Sequence, residues 1–353
     1  MTEGEDQMRL GRLRTLRAAI TGLIAGAAAF LCAAAAQAQT PVRFSLDWRW
    51  EGPAAFFAVA LDKGYFKAEG LDVTIDTAAG SREPIARVAA GTHDAGFGDV
   101  NSLVRFRDEN SDAGIKAVMM IYDRPPFAII GRKSRGISTE VSSLQGKVFG
   151  APAGDAAFAQ WPIFKSVNKI DDSTMKFENV GFPVREPMLA QGEVDAVFGF
   201  SMSSYINLKS RGVPTEDIVV LLMSDYGVDL YGNAIVVSEA FAKEKPEAVR
   251  GLLRAITKGL QDTVKDPSAA VDAVLKRNEA AKKEVELERL ELVLEQNVLT
   301  PWVKTNGLGG IDTERFARSL EQIGLTFKYK NKPTVEDIFT DVFLPAADQR
   351  KVN

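Results

Sequence analysis

The segment Asp47-Trp48-Arg49-Trp50-Glu51 places two carboxylates and two indole rings within five residues. Such rings stack on flat aromatic ligands at about 1 kcal/mol per good contact, and carboxylates beside them accept N–H donors. Phe56, Trp161, Phe200 and Tyr231 add further rings, while Asp99, Asn101, Gly154, Asp155, Ser201 and Asn233 add polar groups. Each lies at an expected strand exit or in the first turn after one, where open α/β sheets hold ligands. For each ring the competing reading is ordinary core. In an extended segment Trp48 and Trp50 would share a face, and the expectation is that one of them enters the cleft.

The same inventory argues against most catalysis. His93 is the single histidine and the single cysteine, Cys32, falls in the expected leader, so the mature chain can assemble neither a zinc cluster nor a Cys-His pair. No Gly-x-Ser-x-Gly elbow accompanies His93, which precedes a strand and reads as structural. Paired carboxylates leave acid-base hydrolysis as an outside alternative. Residues 307–310 lack the Lys-Ser/Thr of a phosphate loop and read as turns. No catalytic residue, metal site or cofactor is expected.

Residues 1–38 read as a signal peptide. Arg9, Arg12, Arg14 and Arg17 precede an apolar run over 18–36, and Ala36-Gln37-Ala38 supplies small residues for cleavage, so the mature, periplasmic chain begins near Gln39. A membrane anchor is the alternative, but the run is rich in Ala and Gly and lacks Trp or Tyr belts. Met8 is an alternative start. Cleavage removes Cys32 and with it any disulfide. A net charge of −4 over 353 residues, with no block of like charges, speaks against nucleic acid and anionic lipid as partners.

The elements that must position the site are organised around an echo. Residues 89–98, Ala-Ala-Gly-Thr-His-Asp-Ala-Gly-Phe-Gly, are answered at 190–199 by Ala-Gln-Gly-Glu-Val-Asp-Ala-Val-Phe-Gly. In each copy a helix stops at a glycine, Gly91 or Gly192, and a short apolar strand follows Asp94 or Asp195. Chance is the competing explanation, since such joints are common. Taken as real, the echo implies an α/β chain of two lobes facing across a cleft. Pro125 and Pro126 break the ladder between strands at 118–121 and 127–130. A Gly-, Asp- and Tyr-rich stretch at 224–232 leads to another strand at 234–237. The expected division is therefore a discontinuous first lobe, 39–126 and 233–353, and a second lobe, 127–232, with hinges near 122–127 and 224–233. Helices are expected at 54–63, 84–90, 156–167 and 287–298, from Pro246 and Pro267 onward, and behind Asp312.

Leu61-Asp62-Lys63-Gly64-Tyr65-Phe66-Lys67-Ala68-Glu69-Gly70-Leu71-Asp72-Val73 resembles a signature near the mature start of periplasmic solute-binding proteins of the sulfonate, nitrate, taurine and thiamine-precursor group. The two echoes, Gly150-Ala151-Pro152-Ala153-Gly154, and Tyr231-Gly232-Asn233-Ala234 with Phe241 and Lys245-Pro246-Glu247 match that group in order. The nearest branch is that of thiamine-pyrimidine precursor binders, NMT1/THI5-like. The resemblance implies a type II-like, two-lobe periplasmic binding protein fold with two hinge crossovers. It also implies a monomer that delivers a small-molecule ligand to the membrane subunits of an ABC importer. It reaches eukaryotic pyrimidine synthases of the same fold, whose cysteine-rich iron motif has no counterpart here.

Asp155 bears on the substrate. Anion binders of this group grip their ligand with N–H groups at helix starts, and a carboxylate about 4 Å from an anion repels it by roughly 4 kcal/mol at an effective dielectric near 20. With Glu51 and Asp99 at other strand exits, this favours a neutral or weakly basic heterocycle. An aliphatic sulfonate or other small organic anion is the alternative, and a ligand-sensing partner of a membrane receptor is a third reading. For Asp155 alone, simple helix capping is the competing role.

Overall fold

The computed structural model describes residues 39–352. The expected leader lies outside the described residues. Among those described, ten strands form two sheets of five, in the orders β2-β1-β3-β10-β4 and β7-β6-β8-β5-β9. The first sheet holds β1 (Thr40–Ser45), β2 (Leu71–Asp76), β3 (Ala95–Asp99), β4 (Ile115–Met120) and β10 (Asn233–Ser238). The second holds β5 (Phe127–Arg132), β6 (Val148–Gly150), β7 (Lys176–Glu178), β8 (Ala196–Phe200) and β9 (Ile218–Leu222). The chain passes from one sheet to the other at residues 121–126 and returns at 223–232.

The echo marks the same place in each sheet. β3 runs parallel to β1 and antiparallel to β10, and β8 runs parallel to β6 and antiparallel to β5. Gly91 and Gly192 end the preceding helices, α2 (Arg82–Ala89) and α5 (Phe182–Gln191), with φ of +70° and +80°, left-handed values that suit glycine. Asp94 and Asp195 then clamp a neighbouring strand from both sides. The Asp94 N–H donates to the Arg43 carbonyl at 2.9 Å while its carboxylate accepts the Arg43 N–H at 2.8 Å. Asp195 does the same to Val148 at 2.8 and 2.9 Å. A carboxylate is needed because a parallel neighbour leaves an amide at the strand entrance without a ladder partner.

Helices cover the sheets where the apolar spacing places them. α1 (Ala55–Asp62) packs against α7 (Pro246–Lys265), which buries Val249, Leu252, Leu253, Ile256 and Leu260 along one stripe. α9 (Thr313–Gly324) starts where Asp312 accepts the Arg315 N–H at 2.9 Å, and it buries Phe316, Leu320 and Ile323. One apolar cluster takes Ala117 and Met120 from the first sheet together with Ile129 and Phe198 from the second, so the sheets share core near the crossovers.

Three elements differ from expectation. α3 (Val100–Glu109) follows β3 directly, and the polar Asn101, Ser102, Arg105, Arg107 and Asp108 hide its period. The helix expected from residue 156 starts later, as α4 (Trp161–Val167), with a short 3-10 turn before it and Pro162 in its first turn. The continuous helix expected over 287–298 is α8 (Lys283–Val293) followed by a π-turn, Leu294–Val298. α6 (Ser201–Ser210) completes the helices that matter here.

The clamp gives a stability prediction. Asp195→Ala removes a charged acceptor from Val148 and the ion pair with Arg135 at 3.0 Å, and the expected loss is about 1.5–3 kcal/mol. Urea unfolding measures it, and a loss below about 0.5 kcal/mol would mean that the clamp adds nothing to strand pairing.

Candidate functional site

A cavity of about 180 Å³ opens between the strand exits of the two sheets. Asp47, Trp48 and Glu51 line it from the loop between β1 and α1, and Ser81, Phe97 and Tyr122 line it beside them. The facing wall comes from Gly154 and Asp155 after β6, from Phe182, Arg185 and Glu186 on α5, and from Phe200, Met202, Ser203 and Asn207 at β8 and α6. The rings of Trp48 and Phe182 meet across it, edge to face, with centroids 5.4 Å apart. Because the two rings touch, they form one continuous aromatic surface against which a flat ring can lie.

Asp47 is the polar centre of the first wall. Its Oδ2 accepts the Asn233 side-chain amide at 2.7 Å, and Ser81 Oγ lies 3.5 Å away. Burial pushes its pKa up to about 7, with the nearby Asp99 charge adding to the rise and the Asn233 bond opposing it. Burial also raises Glu51, against the pull of Arg289. Glu51 Oε2 is buried without a hydrogen-bond partner and lies 3.6 Å from Arg289 Nη1. Arg289, on α8, reaches across to α6 instead. It donates to the Ser203 carbonyl at 3.3 Å and to Asn207 Oδ1 at 3.2 Å, while Glu286 holds its Nε at 3.1 Å. The two walls are therefore tied from behind the cavity.

On the second wall Asp155 has two roles. Its Oδ1 caps the turn before α4 by accepting the Phe158 N–H at 2.9 Å, and its Oδ2 takes Arg185 Nη1 at 2.7 Å. Burial raises its pKa and Arg185 opposes that rise. Arg185 also donates from Nε and Nη2 to Glu186 Oε1 at 2.9 and 2.6 Å, and Ser204 Oγ donates to the same oxygen at 2.7 Å. Gly199, in the second echo, admits this cluster: a Cβ there would collide with Ser204 Oγ and crowd the Arg185 guanidinium. The isolated negative charge expected at Asp155 is thus compensated, and the repulsion argument built on it loses its force.

Other expected site residues serve the frame. Trp50 turns away because the segment bends instead of extending; Arg277 lies 5.3 Å over its ring and its carbonyl accepts from Asn278. Phe56 is buried against Phe57 and Phe97, and Trp161 sits in the aromatic core of the second sheet with its Nε1 bonded to Asp172. Asp99 caps α3, accepting from Asn101 and Ser102, and Asn101 reaches on to the Tyr231 carbonyl at 2.7 Å. Tyr231 stacks under Arg315 at 4.1 Å and its hydroxyl accepts the Asp312 N–H. Ser201 bonds Gln296 at 3.3 Å. Asn233 supports Asp47 from behind. His93 pairs with Asp76 at 2.9 Å and does not line the cavity.

Arg185, Glu186 and Phe182 are not among the residues expected from the sequence. α5 precedes its echo strand, whereas the expectation places function only after strands. Phe182-Pro183 after Gly181 is the available sign, since Pro in a first turn marks a helix start next to the strand exit.

Among solved structures, the alkanesulfonate-binding protein SsuA of Xanthomonas axonopodis pv. citri, bound to MOPS, superposes with a TM-score of 0.66 at 12% identity, over 86% of this chain and 99% of that one. The architecture is the two-domain α/β periplasmic binding protein fold. Riboflavin-binding protein RibY of Chloroflexus aurantiacus is 27% identical over 82% of both chains. The formylaminopyrimidine-binding protein of Halalkalibacterium halodurans is 26% identical, over 87% of this chain and 91% of its own length. The model of the family described as NMT1/THI5 like matches residues 53–270, well over half of the chain, and the protein belongs to that family.

Proposed function

We propose that this protein is an exported solute-binding component of an ABC importer, that it is not an enzyme, and that it carries a small nitrogen-bearing aromatic heterocycle of the thiamine-pyrimidine-precursor class. The Trp48–Phe182 pair, with Asp47 and Glu51 beside it, carries the reading: rings for a flat ligand, carboxylates for its N–H groups. The ligands after which two relatives are named, a formylaminopyrimidine and riboflavin, are both flat nitrogen heterocycles and support it. The lobes are 39–126 with 233–353, and 127–232, and they close about the crossovers at 121–126 and 223–232. The alternative of an aliphatic sulfonate gains from Arg185, whose charge offsets Asp155, and from the likeness to an alkanesulfonate binder.

A thermal-shift panel of aminopyrimidines, flavins, sulfonates and carboxylates tests the class, because a ligand at 100 times its Kd stabilises by about 2.7 kcal/mol. Aminopyrimidines are expected to raise the midpoint, and Trp48→Ala to weaken their binding about tenfold or more. A shift with sulfonates alone would move the assignment to the alternative.

Asp47 sets the pH dependence. With a pKa near 7, its carboxyl holds a proton in the free protein that an unfolded chain would have lost, so this group's contribution to stability falls as pH rises from about 4 to 7. A ligand N–H needs the ionised form. Affinity for a ring that does not titrate in this range is expected to rise from pH 6 to 8, with proton release on binding, and Asp47→Asn is expected to flatten the profile. Calorimetry in two buffers of different ionisation enthalpy measures both, and a flat wild-type profile would remove Asp47 from ligand contact.

A further inference from the structure

The cavity separates its charges by depth. Inside are Asp47, Glu51 and the Asp155–Arg185–Glu186 cluster, which leaves an excess of carboxylates. Arg49 and Arg211 also line the cavity, one from the loop after β1 and the other from the end of α6, and both are exposed. Of the three arginines in the lining, Arg185 alone forms an ion pair among the described residues.

Each rim arginine has a local explanation. Arg49 lies 5.3 Å over the Trp48 ring, and Arg211 follows the carboxyl end of α6, where a cation complements the helix dipole. Neither explains why two arginines from opposite lobes line one cavity with no ion pair to either among the described residues, the Glu51 carboxylate feeling Arg49 only as a more distant charge. Like charges facing across a closing cleft oppose closure. An oxyanion between them reverses the sign of that interaction, and the planar guanidinium fork suits phosphate or carboxylate. The stack on Trp48 also holds Arg49 beside the ring on which a heterocycle would lie.

We propose that the ligand has two ends, a flat N–H-donating ring held inside by Trp48, Phe182 and the carboxylates, and an oxyanion substituent held at the mouth between Arg49 and Arg211. This rests on the heterocycle reading above and narrows it to rings bearing a phosphomonoester or carboxylate. It also accounts for a site that resembles alkanesulfonate binders in fold while presenting acidic groups at depth.

Calorimetry with matched pairs tests it: 4-amino-5-hydroxymethyl-2-methylpyrimidine against its phosphate ester and its 5-carboxylate, and riboflavin against riboflavin 5′-phosphate. The wild-type protein is expected to bind the anionic member of a pair about tenfold or more tightly than the parent alcohol at low salt, and the preference is expected to shrink at high salt. In the Arg49→Gln/Arg211→Gln double variant, with folding checked by circular dichroism, the ratio is expected to approach one. Equal binding of alcohol and anion, or a ratio that survives in the variant, overturns the proposal. Whether phosphate or carboxylate gains more identifies the substituent. If the flavin pair binds and the pyrimidines do not, the pyrimidine class fails and the flavin ratio still reads the rim. Should no ring bind, inorganic phosphate is titrated while the arginine Nε–H resonances are followed: saturable shifts of both Arg49 and Arg211 support the rim, and unmoved resonances overturn it.

Discussion

Asn233 stands where the second crossover becomes a strand, and its hydrogen bonds tie the rest of the molecule to that point. Its carbonyl accepts the N–H groups of Ile121 and Tyr122, both at 2.9 Å, so one crossover is pinned to the other. Its backbone opens β10, which is inserted between β3 and β4. Its side-chain amide holds Asp47 at 2.7 Å. A residue that joins both crossovers and also orients the central carboxylate makes crossover geometry and site geometry one constraint.

The neighbouring polar residues extend that constraint. Asn101, held by Asp99, reaches the Tyr231 carbonyl, and the Val100 N–H reaches the Gly232 carbonyl at 3.0 Å, so the exit of β3 is bolted to the returning chain. Arg315 joins Asp123 on one crossover to Asp229 on the other. These groups are densely bonded, and all but Arg315 and Asp229 are buried, because a crossover carries backbone amides that no ladder satisfies. Residues that looked like ligand contacts by position are spent on this accounting.

Electrostatics in the cavity follow from burial with unequal compensation. Arg185 offsets Asp155 and Glu186 within a few ångströms, whereas Asp47 has only neutral donors and Glu51 has Arg289 at 3.6 Å, Arg49 further off and the Trp48 side chain, which together do not overcome its burial. The first wall thus holds carboxylates that are costly to ionise until something donates to them. The second wall is closer to balance. A ligand with N–H groups on one edge is oriented by that difference alone.

The sequence by itself determined the alternation of strands and helices, the two echo strands with their glycine stops, and the neighbourhood of both crossovers, because period, Gly and Pro act locally. It also brought Asp47, Trp48, Glu51, Gly154, Asp155 and Phe200 to strand exits, and these do line the cavity. Tertiary structure decided the rest. Trp48 and Trp50 are two residues apart and equally aromatic, yet only the bend of their loop turns one to the cavity and the other to Arg277. Asp155 and Arg185 are thirty positions apart, and Arg289 approaches Glu51 from a helix more than two hundred residues downstream. Such pairings set the charge of the site, and they depend on which surfaces pack together, a quantity that local spacing does not contain.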